Sequence, residues 1–234
     1  MKTLKTMLAL LLAVSITSVS AQIGTNTREA VDNTKAMIAN KQQLKKDVAQ
    51  LHSFKKKIAA FEDAFISNDR KQIKRLKADI LSDMKREIAQ SERKIKQDQI
   101  ELRQSKRELN NSRREARNSR RDVAWKNTRK NRRDLRDDKR DKRDDLRDKN
   151  DDVRDLKAQV ARTARQKDIM KTIKAYNYLA KRKSGKHKLV TNSNLLNEFA
   201  KTMEADIKAT KLEIAEDKRE IREDRRERRE DRRG

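Results

Sequence analysis

The residues of this sequence best suited to chemistry are a run of arginines around a single tryptophan. Between Ser112 and Arg133 there are ten basic residues and two acidic ones, a local balance of +8 (10 − 2). If this stretch is a helix, spacings of three and four residues place six of its side chains on one side. The six are Arg114, Arg117, Arg121, Trp125, Arg129 and Arg132. Guanidinium groups match phosphate, sulfate and carboxylate, and an exposed indole stacks on a base or sugar ring, so this stripe predicts polyanion binding.

The same pattern has a second interpretation. Trp125 would pack in a helix interface, and the arginines would form a solvated face, because charge runs are common on long helices. The residue types leave both interpretations open. Basic clusters at 181–188 and 219–233 agree with polyanion binding but specify no ligand.

Residues for catalysis are scarce. His52 and His187 are the two histidines, and the chain has no cysteine to serve as a nucleophile or soft ligand. The aspartate doublets at 137–138, 144–145 and 151–152 are interleaved with Arg and Lys and lie in no glycine-containing ligand loop, so neutralisation by neighbouring bases explains them better than a metal does. We therefore expect no enzyme activity, no cofactor, no metal site and no small-molecule substrate.

The elements that position the stripe are expected to be helices. Charged residues make up 44% of the chain and aromatic residues 3%, which argues against a thick-cored globule, and there is no proline. One seven-residue apolar row is Met37, Leu44, Leu51, Ile58 and Phe65, and another is Leu81, Ile88, Ile95, Leu102 and Leu109. With a turn at Ser67-Asn68-Asp69 between them, they predict a helical hairpin over residues 22–110. Its second seam is thin, since Ser91, Asp98 and Ser105 replace an apolar row.

The remaining chain divides into a charged part and a second apolar part. Opposite charges four residues apart predict an Arg/Asp-rich charged helix over 111–150, and returning apolar residues predict a C-terminal helical hairpin with a basic tail over 151–234. The fold class is thus all-α, with elongated antiparallel coiled-coil hairpins joined by a long charged helix. The alternative is a helical bundle of roughly 40-residue helices, with breaks at 110–112 or at Asn150.

The first 21 residues have the parts of an export signal. Two lysines precede an apolar run over residues 7–14, and Val19-Ser20-Ala21 offers small residues at a cleavage site. The run is too short to span a bilayer, and no later segment is apolar enough to do so. We expect a periplasmic or secreted protein with no transmembrane segment after signal removal.

Two functions fit these features. The first is a non-enzymatic structural, scaffolding or tethering element of the cell envelope, whose partner is a second copy or another helical protein. The alternative is a basic protein that binds an anionic polymer or an acidic client. In composition, export signal and helical arms the chain is similar in general character to the periplasmic Skp-type chaperones, and this resemblance implies the holding of unfolded clients between helical arms.

Overall fold

The computed structural model describes residues 34–35, 37–178 and 185–231, and its regular elements are all helices. Helix α1 covers residues 37–66, α2 covers Arg70–Trp125, α3 covers Arg129–Ala175 and α4 covers Gly185–Asp231. These described residues include no strand, so the all-α prediction is confirmed for them. None of the helices in these ranges has the length and apolar character that a bilayer crossing requires. The predicted signal, residues 1–21, lies outside the described residues.

The turn between α1 and α2 stops the first helix with a left-handed residue. Asn68 has a φ of 57°, and the amide of Asp69 donates to the carbonyl of Ala64 at 2.9 Å. The Asp69 carboxylate then caps α2 by accepting from the amides of Lys71 and Gln72 at 3.1 and 3.0 Å. Asn tolerates the left-handed region and Asp is a preferred N-cap, so the residue types themselves specify this helix boundary.

The internal contacts of the chain divide it into two units, which we describe separately. The central unit is Phe54–Thr202, and the terminal unit combines Met1–Ser53 with Met203–Gly234.

The central unit has an apolar core, which we call the base, with side chains from all four helices. Its buried members are Phe54, Ile58, Phe61, Ala64, Ile73, Ile80, Met84, Ile88, Ile169, Ile173, Tyr178, Leu196, Phe199 and Ala200. The rings of Phe54 and Phe199 lie 5.4 Å apart, and Phe61 meets Tyr178 edge-on at 4.8 Å. Burying one large apolar side chain contributes about 1.5–3 kcal/mol, so the base supplies most of the apolar stabilisation of this unit.

A lysine joins α2 to the end of α3 within the base. Lys77 donates from Nζ to the carbonyls of Lys174 at 3.0 Å and Tyr176 at 2.5 Å. The same ammonium group lies 5.3 Å from the ring centre of Tyr178. Burial lowers the pKa of Lys77 and raises that of Tyr178. A cation that satisfies the last carbonyls of a helix also interacts favourably with its dipole, so Lys77 fixes where α3 ends.

Beyond the base, α2 and α3 continue as an antiparallel pair, which we call the arm. Ser91 Oγ donates to Gln166 Oε1 at 3.1 Å, and three further serine hydroxyls donate to aspartates. The pairs are Ser105 with Asp152, Ser112 with Asp145, and Ser119 with Asp138. Leu109 is buried between two of these pairs. Ser105, Ser112 and Ser119 are small enough to let the helices approach closely, and their hydroxyls satisfy carboxylates of α3.

The prediction of one charged helix over residues 111–150 is wrong. The backbone leaves α2 at Lys126, with φ −140° and ψ 101°, and re-enters a helix after Thr128, with φ −88° and ψ 162°. The breaks considered at 110–112 and at Asn150 both lie inside helices. The physical reason is that the aspartates of α3 find serine partners on α2, which a solvated single helix cannot provide.

The predicted pairing of residues 73–109 with α1 is also incomplete. From Ser91 onward the seam of α2 faces α3, as the hydrogen bonds of Ser91 and Ser105 show. The polar row of Ser91, Asp98 and Ser105, which interrupts the apolar seam, therefore determines that this part of α2 pairs with α3. Polar residues in such a seam specify register at some cost in stability.

The terminal unit pairs the first part of α1, 37–53, with the part of α4 from 203 to 231. Ile207, Ile214 and Ile221 are buried at seven-residue intervals, and Asn40 Nδ2 donates to Asp217 Oδ2 at 3.4 Å. The sequence predicted this apolar row but assigned it to a hairpin with the preceding helix. In this unit the apolar row of α1, which includes Leu44 and Leu51, is half-buried.

Candidate anion-binding tip

The far end of the arm, residues 112–133, is a tightly tied turn that we call the tip. The amide of Lys126 donates to the carbonyl of Asp122 at 2.8 Å, and the Thr128 hydroxyl accepts from the amide of Asn131 at 3.1 Å. The Asn131 side chain donates to the carbonyls of Asp122 at 3.1 Å and Lys126 at 2.7 Å. The first turn of α3 is thereby bonded to the last turn of α2.

The structure divides the predicted arginine stripe between two helices. Arg114, Arg117, Arg121 and Trp125 lie in the last turns of α2, whereas Arg129 and Arg132 lie in the first turn of α3. A single stripe is therefore wrong, because the turn interrupts the helix between Trp125 and Arg129. The antiparallel arrangement nevertheless brings both groups to the same end of the arm.

The basic side chains of the tip are exposed and are not neutralised by the protein. In the part of the chain that the structure describes, no arginine or lysine from Arg113 to Arg133 forms an ion pair. Closer to the base, by contrast, Arg147 pairs with Asp144 at 3.2 Å and Arg154 with a neighbouring aspartate at 3.0 Å. The excess charge that the sequence shows at the tip is thus available to an external anion.

Trp125, the sole tryptophan of the chain, is 93% exposed at the end of α2. It lines an open hollow with Arg121, Asp122 and Ala124. Trp125 therefore packs in no helix interface among the described residues of this chain. A large aromatic side chain left in water beside a guanidinium is a feature of surfaces that stack on a ligand or meet a partner.

The aspartates of α3 lie behind the tip, between the basic end and the base. Burial raises the pKa of Asp152, and the charges of Asp155 and Asp151 add to this, while the hydrogen bond from Ser105 acts in the opposite direction. The pKa of Asp148 is also raised, by partial burial and by neighbouring carboxylates. Both pKa shifts arise in a part of α3 where carboxylates lie close to one another, and Asp152 also accepts a hydrogen bond from Ser105.

The other candidate groups do not form a site. Over residues 34–35, 37–178 and 185–231 no cluster of acidic, histidine or cysteine side chains has a metal-binding arrangement. His52 is exposed on α1, and the side chain of His187 lies outside what the structure describes. The second members of the aspartate doublets, Asp138, Asp145 and Asp152, are the acceptors of the serine bonds in the arm.

Sequence reasoning missed the residues that position the tip. Thr128 and Asn131 were not singled out, although Thr is a preferred N-cap residue. The pairing of serines with aspartates was also missed. Its signal is the shared seven-residue spacing of Ser105, Ser112 and Ser119 with Asp138, Asp145 and Asp152.

No family model matches the chain, and no curated protein or solved structure matches it either.

Proposed function

We propose that the protein is an exported, non-enzymatic tether that binds an anionic polymer through the tip of the α2–α3 arm. In this proposal the seven-residue pairing of the arm is an antiparallel coiled-coil hairpin, and its role is to hold the basic tip away from the base. The observation that carries the proposal is the combination of unpaired arginines with an almost fully exposed Trp125 on a tied turn.

Three physical features support binding at this place. Arginine forks on two helices meet phosphate, sulfate or carboxylate groups from two sides, and each contact is charge-assisted. The helices fix the arginine backbones, so less conformational entropy is lost than in a disordered basic segment. Trp125 adds a flat apolar contact for a base or a sugar ring.

The ligand class follows from where the chain is expected to act. If the signal predicted at residues 1–21 acts, the mature protein works outside the cytoplasm, where acidic polysaccharides, cell-wall polymers and released nucleic acid carry the matching groups. Binding should weaken steeply with salt, because release of condensed counterions drives such association.

Replacing five tip arginines with glutamine tests the proposal. The variant carries Arg114→Gln, Arg117→Gln, Arg121→Gln, Arg129→Gln and Arg132→Gln. We expect heparin retention to fall to a much lower salt concentration while the helical circular dichroism is unchanged, since these side chains are exposed.

The matched control removes the same charge elsewhere. It carries glutamine at five exposed arginines outside the tip: Arg75, Arg103, Arg140, Arg147 and Arg154. The control should keep most of the original retention. Equal losses in the two variants would show that binding follows net charge and has no site at the tip.

A scaffolding role through self-association is the second candidate. The terminal unit leaves large apolar side chains in water: Ile38 is 49% exposed, Val48 46% and Leu212 56%. In this second proposal a helical partner, either another copy or an envelope protein, covers these side chains. Sedimentation velocity separates the candidates, because an apolar assembly persists in salt that removes a polyanion.

A further inference from the structure

The contacts of the arm follow one numerical rule. In each pair that links a serine of α2 to α3, the two residue numbers add up to 257, as in Ser112 with Asp145. The four pairs lie between Ser91 and Ser119, a length of four seven-residue repeats. The arm therefore has one antiparallel register along its whole length.

Because every pair adds up to the same number, the same contacts can also form between two copies of the chain. Two identical helices that pair antiparallel are related by a twofold axis, so residue 112 of one meets residue 145 of the other, and the reverse. The serine and aspartate rows on a second copy then present the same contacts as the chain's own rows. The register specifies which residues meet, but it does not specify that they belong to one chain.

The two turns of the central unit differ in how firmly they end a helix. The turn before α2 contains Asn68 in the left-handed region, which is the only such non-glycine residue in the described chain. The turn before α3 has extended backbone at Lys126 and Thr128 and contains neither glycine nor proline. Its closure depends on the bonds made by Thr128 and Asn131. Nothing in its residue types prevents the helix from continuing.

We propose that α2 and α3 also join into one continuous helix through residues 126–128 and exchange between two copies of this chain. Each half of the resulting dimer combines α1 and α2 of one copy with α3 and the following segment of the other. Every serine–aspartate contact of the arm is re-formed between the copies. Short closing loops favour such exchange, and the proposal does not depend on polyanion binding.

Cross-linking of introduced cysteine pairs detects the exchange directly, because the chain has no cysteine of its own. The test variant carries Ser112→Cys with Asp145→Cys, which lie on opposite helices of the arm. The control carries Lys57→Cys with Asp83→Cys. These two positions join α1 to α2, which are connected by the turn that contains Asn68. Both pairs are treated with a short bis-maleimide cross-linker after the protein is refolded at low and at high concentration.

The proposal predicts different products from the two pairs. The 112/145 pair should give cross-linked monomers at low concentration and covalent dimers at high concentration, whereas the 57/83 pair should give monomers at both. A 112/145 link that stays within one chain at every concentration overturns the proposal. So does an oligomer in which that link is still intramolecular, because another surface then holds it together.

A turn variant tests the exchange without cysteines. Asn127→Pro cannot continue a helix, which disfavours each straightened helix by about a hundredfold. It is compatible with the turn, because the Asn127 amide makes no hydrogen bond in the described chain and Lys126 already has extended dihedrals. Light scattering should show a concentration-dependent dimer of the unmodified chain that is lost in the variant. Absence of that dimer, or its survival in the variant, contradicts the exchange.

Discussion

The first and second halves of α2 use the same seven-residue repeat with opposite chemistry. In the base, Ile73, Ile80 and Met84 are buried among apolar side chains of the other helices. In the arm, Ser105, Ser112 and Ser119 occupy the heptad position that Met84 occupies in the base, and they bond to aspartates. Apolar burial is non-directional and stabilises contact with any close partner. A hydrogen bond between a hydroxyl and a carboxylate is directional, so it forms in one register only. The base thus contributes stability, and the arm contributes pairing specificity.

The largest effect on stability should come from a cavity created in the base. Phe54→Ala removes a side chain with no exposed surface that packs on Phe199, so we expect a loss of about 3–5 kcal/mol in unfolding free energy. Urea denaturation followed by circular dichroism measures it. Ile66→Ala is the control, because Ile66 is 76% exposed and should change stability by less than about 0.5 kcal/mol. Similar losses from both would show that the base is not packed as described.

An intermediate effect is expected in the arm. Ser112→Ala removes one hydroxyl donor to Asp145, which should cost about 0.5–1.5 kcal/mol. Because the change is local, hydrogen exchange should increase in the arm more than in the base. Ser82→Ala, on an exposed position of α2, is the matched control. A double-mutant cycle with Asp145→Ala should reveal coupling, and additive effects would show that the two side chains do not interact.

The smallest effect concerns pH. The pKa of Asp152 in the folded arm is raised, chiefly by burial, so its protonated form is favoured there. This stabilisation is complete below the ordinary aspartate pKa of about 4 and is lost as pH rises through the raised value. Asp152→Asn should therefore stabilise the arm slightly at pH 7 and have no such effect at about pH 3. Hydrogen exchange of the arm at the two pH values provides the comparison, and a pH-independent effect would contradict the assignment.

The sequence predicted the helical class and the turn residues Ser67-Asn68-Asp69 because these depend on local preferences. The missing prolines and the apolar rows favour helices, and Asn68 and Asp69 are suited to a helix end and start. It also located the basic cluster around Trp125, since charge is counted directly from residue types.

The partner of each helix was not predictable in the same way. The row of Ser91, Asp98 and Ser105 reads as a weak apolar seam when only apolar contacts are considered. Its meaning depends on Gln166 and Asp152 of α3, which accept from Ser91 and Ser105 and lie 75 and 47 residues away in the sequence. The turn at 126–128 was missed for the same reason, because it lacks the glycine or proline that marks a break and is fixed by pairing of the helices it joins.

Fluorescence of Trp125 tests the central claim most directly, because the chain has one tryptophan and it lies at the tip. Titration with heparin at low salt should change its emission in a saturable manner, and about 0.5 M salt should reverse the change. The five-arginine tip variant should require far more heparin, while the control variant should match the original protein. Heparin binding that leaves the Trp125 emission unchanged would place the anion elsewhere on the protein and contradict the account.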